Sequence, residues 1–448
     1  MNVFGMQAAL PRLGTSAMAG AATTARMGTA AKVGIAAGGI VLAALAAAGV
    51  WYLLDQRTSD APLPQLAPDA ARRAARDGAS QIASQRAVTA WNDMNRTAPG
   101  RLGLTHPSAT GMFREQNDSV GTAHVWPMSQ VHAAAINLSQ LTGDGSAVDA
   151  IDVQLDRYLR DGGYQPGKGV QLFPQLRDRY TDDNMAIGLN YVQAYDAGGD
   201  PQDLARAERV MPFLESMVHA NGAINWREGS IAYVADSLVG AQKLALMLST
   251  RSPDPERRAR YLEFARSLDA FVEARLRRHD GEMKDLLIDN VESNNETAGW
   301  SNAFFSYNQG WSIGADIEWW RATGDEAYLE RARRTADASH EFLQRDDRLW
   351  TQPPSFNANY FENLLTLEAV APRSEGDTTF RDWMGEYLDR AWTTARDPET
   401  GYFHRGGIGG YSVVRDGQRE KVDLLDQSGM VQMYALRAMT RDQLLQVA

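Results

Sequence analysis

The chain has no cysteine among its 448 residues. Disulfides, thiol nucleophiles and thiolate metal sites are therefore all excluded, and packing must supply the stability. Lysine is almost as scarce, occurring only as Lys32, Lys168, Lys243, Lys284 and Lys421. The formal charge is 45 minus 56, or −11, and the first 54 residues hold Arg12, Arg26 and Lys32 with no acid, so the remainder carries −14. A body this acidic is not expected to bind nucleic acid. The seven histidines, His106, His124, His132, His219, His279, His340 and His404, show no HExxH or similar spacing. No metal site and no other cofactor is expected from them. A Gly-rich strand-to-helix phosphate motif is missing too, since Gly406-Gly407-Ile408-Gly409-Gly410 lies among loop signals.

The one long hydrophobic run is Val33 to Leu54, 22 residues without a charge. At 1.5 Å per residue such a run can cross a bilayer core. Positive charge precedes it and the first acid, Asp55, follows it, with Trp51 and Tyr52 at the interfacial position. This pattern predicts a signal anchor with residues 1–32 in the cytoplasm and the rest outside; a cleaved signal peptide with secretion is the alternative. Residues 55–68, with Pro62, Pro64 and Pro68, read as a stalk, and 69–448 as the folded domain.

Beyond the stalk no alternating strand pattern occurs, and helix-period segments are separated by a recurring turn that ends in Asp. Its copies are Thr142-Gly143-Asp144, Gly198-Gly199-Asp200, Ser252-Pro253-Asp254, Thr323-Gly324-Asp325 and Glu375-Gly376-Asp377, at Asp-to-Asp spacings of 56, 54, 71 and 52. Gly or Pro stops one helix and Asp caps the next, so each unit is a helical hairpin. Counting back 18 residues from each Asp reaches Trp126, Asp182, Asp236, Tyr307 and Asn359, each placed near the start of an inner helix. A sixth pair can be assembled from a helix beginning near Gln427 and the segment Asp69 to Asn95. The expected fold is all-α, an (α/α)6 barrel, with an open solenoid of the same hairpins as its alternative.

Long connections rich in Gly and aromatics lead into the inner helices: Gly162 to Tyr180, Asn221 to Tyr233, His279 to Ser306, Asp346 to Tyr360 and Pro398 to Asp426. Loops gathered at one end of a scaffold are where a cleft is built. Trp126, Trp226, Trp300, Trp311, Trp350, Tyr360, Tyr402 and Tyr411 lie in or beside them, as flat rings that suit pyranose faces or simply anchor the loops. At one inner-helix start stands Asp182-Asp183, after Tyr180-Thr181. An Asp pair there can cap a helix. It can also supply the two carboxyl groups that glycoside cleavage needs. Asn308 and Gln309 interrupt an apolar helix start in the same way, either to bond sugar hydroxyls or to satisfy loop carbonyls. Asp236, in register with Asp182, is a further candidate.

Asp182-Asp183, followed by Tyr307-Asn308-Gln309-Gly310-Trp311-Ser312-Ile313-Gly314-Ala315, Trp320, Thr323-Gly324-Asp325 and Tyr328-Leu329, resembles glycoside hydrolase family 76, the endo-α-1,6-mannanases. The resemblance runs from about Ala90 to the C-terminus. It implies an (α/α)6 barrel and a retaining reaction on polymeric α-mannan, with Asp182 as nucleophile and Asp183 as general acid/base. Tyr180, Trp126, Trp226, Asp236, Tyr307, Asn308, Gln309, Asn359 and Tyr360 are the expected substrate-binding residues. The chain departs from the family where an aromatic usually precedes the Asp pair, having Thr181, and where tryptophans follow, having Met185 and Ala186. The family's lysine and asparagine at the third inner-helix start are replaced by the region around Ser230 to Asp236. With the anchor, the resemblance points to an envelope mannan. A transglycosidase and a non-catalytic glycan-binding module are the alternatives.

Overall fold

Helix punctuation builds the architecture. In the computed structural model, which describes residues 63–67, 78–96, 103–106, 112–116, 122–160, 178–291, 303–404, 414–415, 418–419 and 422–447, the Gly-Asp turns do what their chemistry requires. Gly199 and Gly324 close their helices at φ 74°, a left-handed conformation that costs glycine least. Asp200, Asp254 and Asp325 then accept bonds from the first amides of the following helices. The proposed membrane segment Val33–Leu54 lies outside the described residues; among those residues no helix is long and apolar enough to cross a membrane.

The helices are α1 (Gly78–Asn95), α2 (Val125–Thr142), α3 (Ser146–Arg160), α4 (Thr181–Gly198), α5 (Pro201–Glu208), α6 (Met211–Ser216), α7 (Ala235–Arg251) and α8 (Pro255–Arg275). They continue with α9 (Ser306–Thr323), α10 (Glu326–Gln344), α11 (Arg348–Thr351), α12 (Pro354–Val370), α13 (Thr379–Thr394), α14 (Leu424–Ala438) and α15 (Arg441–Val447). Each of α2, α4, α7, α9, α12 and α14 packs on the next, and α14 packs back on α2, so six inner helices close a ring. Helices α3, α5, α8, α10 and α13 back α2, α4, α7, α9 and α12, while α1 backs α14. The sixth hairpin thus joins the two ends of the domain, and the solenoid alternative does not apply. Burial follows this layering. Leu244, Leu246, Leu248, Leu364 and Leu365 are fully buried on inner helices, whereas α10 buries only one stripe, Leu329, Ala332, Ala336 and Leu343.

Two expectations need correction. The stretch 346–360 is not an open connection: it contains α11 and the first turns of α12, with Pro353-Pro354 starting the helix, since proline loses nothing at a helix N-terminus. Asn359 therefore lies more than one turn inside α12. The repeat count slipped because residues 371–378 lengthen the turn between α12 and α13.

Inner helices meet closely where glycine allows it. A Cβ on Gly310 of α9 would sit 2.6 Å from the Cα of Tyr360 and 2.9 Å from the carbonyl oxygen of Asn359. Backbone cannot yield as a side chain can, so Gly310→Ala is expected to destabilise the domain by about 1–3 kcal/mol. Denaturant unfolding checks this, and an unchanged midpoint would refute the close contact.

Candidate active site

The ring presents the N-terminal ends of its inner helices at one mouth, and the carboxyl groups converge there. Tyr180 precedes α4 in extended conformation and bridges to Arg227, so the 225–227 segment lies along the start of α4. The amide of Thr181 donates to the Trp226 carbonyl at 2.8 Å, and the Trp226 indole donates to Asp182 Oδ2, also at 2.8 Å. Asp182 Oδ1 accepts the amide of Asp183 at 2.9 Å. The rings of Tyr180 and Trp226 meet edge to face at 5.1 Å, which holds the indole in place.

Asp183 is more buried, at 6% exposure, and its carboxyl accepts no hydrogen bond from a described residue. The two neighbours are thus in unlike settings. Burial pushes Asp182 up to about 6, held back by the indole and backbone donors. Burial, then the charges of Asp182, Asp236 and Glu115, push Asp183 well above the usual carboxylate range. Both carboxyls stand at a helix N-terminus, which favours the ionised form, yet desolvation is the larger effect on each.

Asp236 occupies in α7 the place Asp182 has in α4, 8% exposed, with Oδ1 accepting the amide of Ser237 at 2.5 Å. Burial and the charges of Asp182 and Asp289 raise it well above its ordinary value. Asp289 is a residue that sequence patterning missed. It precedes the two-residue strand β2 (Asn290–Val291), which pairs antiparallel with β1 (Tyr233–Val234) just before α7. The amide of Ala235 donates to its carbonyl at 2.7 Å. Its fully buried carboxylate receives Asn290 Nδ2 and Asn308 Nδ2, each at 2.9 Å, and the Tyr307 hydroxyl at 3.3 Å. Burial raises it, against those three donors. No ion pair joins Asp182, Asp183, Asp236 or Asp289 to a described cationic side chain. Glu115 also went unnoticed in the sequence; it stands beside α2, accepting the amide and ring of His124 at 2.8 and 2.7 Å.

The remaining expected binders divide. Trp126 is 38% exposed and stacks on Phe356 at 5.9 Å, and Phe356 in turn meets Tyr307 at 4.0 Å. These rings from α2, α12 and α9 make an apolar wall at the same mouth, and Phe356 is its unforeseen member. Asn308 is fully buried and bonds Asp289 rather than facing the opening. Gln309 clamps residue 287, donating to the carbonyl at 2.8 Å and accepting from the amide at 2.9 Å, which leaves it nothing to offer a sugar. Tyr360 is buried at 0% with its hydroxyl 2.8 Å from Ser339 Oγ of α10, and so joins the inner to the outer layer. Asn359 is half-buried and its carbonyl receives Asn363 at 2.7 Å. Trp311, Trp350 and Tyr402 belong to the core, and Trp300 and Tyr411 lie outside the described residues. Among the described residues no group of three or more His, Asp or Glu is disposed to hold a metal ion.

Two adjacent carboxyl groups, one raised less because an indole and a backbone amide bond it, the other raised further by burial and neighbouring carboxylates, are an arrangement that glycoside cleavage can use. Residues 77–440 match the sequence profile of "Glycosyl hydrolase family 76", and the chain belongs to that family. No curated protein matches it in sequence. Its fold is shared with a family 76 mannosidase from Bacteroides thetaiotaomicron, with a TM-score of 0.64 at 18% identity over 80% of this chain and 98% of that one. It is also similar to an inactive variant of the α-1,6-mannanase of Salegentibacter sp. HEL1_6, in which two consecutive aspartates are replaced by asparagine. That variant was solved with α-1,6-mannotriose, and its TM-score is 0.61 at 17% identity over 80% and 99% of the two chains.

Proposed function

We propose that the protein is a retaining endo-α-1,6-mannanase that cleaves the α-1,6-mannan backbone of a cell-envelope glycan. The unlike settings of Asp182 and Asp183 carry this reading. Asp182, steadied by the Trp226 indole, attacks the anomeric carbon while Asp183 gives its proton to the departing glycosidic oxygen. The glycosyl ester on Asp182 forms as the C–O bond of the linkage breaks. Asp183, now a carboxylate, takes a proton from water, whose oxygen attacks the same carbon and frees Asp182. Asp236 and Glu115 beside the pair favour the protonated state Asp183 needs at the start. The wall of Trp126, Phe356 and Tyr307 offers sugar faces a surface that excludes water. The inactive relative altered at two consecutive aspartates supports this use of the pair, and its mannotriose supports the linkage. The segment Val33–Leu54 serves as a signal anchor that keeps the enzyme outside the membrane and within reach of envelope mannan.

The test is product analysis of linear α-1,6-mannan incubated with the full chain. Short oligomannosides that retain the α configuration are expected. Unchanged polymer would sink the assignment, and products longer than the starting oligosaccharide would replace hydrolysis by transglycosylation.

Trp226→Phe removes the donor to Asp182 Oδ2 while keeping the ring. A hydrogen bond to a charged group is worth about 1.5–3 kcal/mol, so Asp182 should hold its proton more firmly and the acidic limb of the pH–rate profile should move up by about 1–2 units. An unmoved limb would mean that the indole does not set the ionisation of Asp182.

A further inference from the structure

The outer layer carries a second cleft, separate from the carboxyl groups at the mouth. It is a cavity of about 460 Å³ between α10, α11 and α13. Its floor is aromatic: Trp350 and Tyr387 are buried with ring centroids 5.3 Å apart, and Trp383 is half-exposed beside them. Its rim is polar, formed by Gln344, Glu386, Arg390 and Asp347. Arg390 lies over the Trp350 ring at 3.9 Å and binds both carboxylate oxygens of Asp347 at 2.9 and 2.7 Å. Gln344 and Glu386 are exposed. Neither bonds any described residue, so both remain available to an external ligand.

The cleft is tied to the rim of the mouth. Asn357 of α12 donates to the Leu349 carbonyl of α11 at 3.1 Å, and the amide of Ser306, which opens α9, donates to Gln352 at 3.4 Å. Phe356, in the aromatic wall, is therefore one residue from the contact that fixes α11. Asp346 and Asp347 adopt left-handed conformations at φ 57° and 58°, an unfavourable choice for two consecutive non-glycine residues. That backbone turns the Asp347 carboxylate towards Arg390.

A partly exposed ring, Trp383, over a buried aromatic floor, with a rim of amide, carboxylate and guanidinium groups, is chemistry that recognises a sugar: the Trp383 ring for C–H surfaces, planar polar groups for hydroxyls. The alternative ligands fit less well. An anion would meet Glu386 and Asp347, and an apolar peptide would bury Glu386 unpaired. We infer that this cleft is a secondary glycan-binding site that holds a distal stretch of the same mannan chain while another stretch lies in the mouth. The inference rests on the proposed mannanase reading for the identity of the polymer.

A second contact on one chain raises the effective concentration of the first, and the gain exists only for a substrate long enough to reach both. The experiment compares the full chain with its Gln344→Ala/Glu386→Ala variant, which loses no internal bond. It measures kcat/KM on long linear α-1,6-mannan and on α-1,6-mannotetraose, and migration in a native gel containing the mannan. The variant is expected to lose roughly 5-fold or more in kcat/KM on polymer, none on tetraose, and to be less retarded in the gel. Equal loss on both substrates, or no loss on either, overturns the secondary site. Should the parent cleave neither substrate, the mannanase reading fails while the gel still decides the cleft: retardation weakened by the variant supports it, and a parent that is not retarded, or a variant retarded equally, overturns it.

Discussion

Asp182→Asn and Asp183→Asn should each lower turnover of α-1,6-mannan by about 10³-fold or more, since each removes a group that makes or protonates a bond in the transition state. The two losses should differ in kind. With an aryl α-1,6-mannobioside, whose leaving group needs no proton, Asp183→Asn should still form the glycosyl-enzyme in a rapid burst, and Asp182→Asn should form none. The unlike environments make this prediction specific: the indole and amide donors converge on Asp182, while Asp183 accepts no bond from a described residue. A burst from Asp182→Asn with none from Asp183→Asn would reverse the roles, and near-parent activity in both would return the pair to helix capping.

The same substitution at Asp183 should make the domain more stable at neutral pH. Asp182, Asp183, Asp236 and Asp289 all have their proton affinity raised by burial. A carboxyl that binds its proton more tightly folded than unfolded costs nothing below the unfolded value, where it is neutral in both states. It costs progressively more as pH rises through the folded value. For Asp182, rising from 3.8 to about 6, the difference of about 2.2 units at 1.36 kcal/mol each is about 3 kcal/mol lost by pH 7. Asp183 shifts in the same direction with three carboxylates facing it, so Asp183→Asn is expected to raise the thermal midpoint by ~4 °C or more at pH 7.5, and by little at pH 4. Calorimetry at the two pH values checks this. An equal shift at both, or a lower midpoint at pH 7.5, would show that the carboxyl cluster stores no such energy. If the prediction holds, the catalytic arrangement is maintained at a cost to stability, a trade expected of active sites.

What could be read from residue order is local. A glycine at φ 74° and an aspartate accepting the next amides act within one turn of backbone, so the hairpins, their number and the inner-helix starts at Trp126, Asp182, Asp236 and Tyr307 were legible. The count failed at Asn359 because the length of a connection does not follow from the helices it joins. Asp182 and Asp183 stood out through their own adjacency. Asp289 did not, because its role depends on β2 lying beside β1 and bringing it next to Asp236, 53 residues away (289 − 236) and without periodicity. Gln309, Asn308 and Tyr360 read alike as polar or aromatic groups near helix starts, yet they face a loop, a carboxylate and the outer layer. Direction around a helix at its first turn depends on what packs there. Sequence alone therefore determined the all-α hairpin repeat and the presence of a carboxyl pair. Only the tertiary structure decided which carboxyls share a site, which aromatic rings form its wall and which carboxyls are raised by one another, because burial and charge–charge repulsion arise between segments that the chain order does not place together.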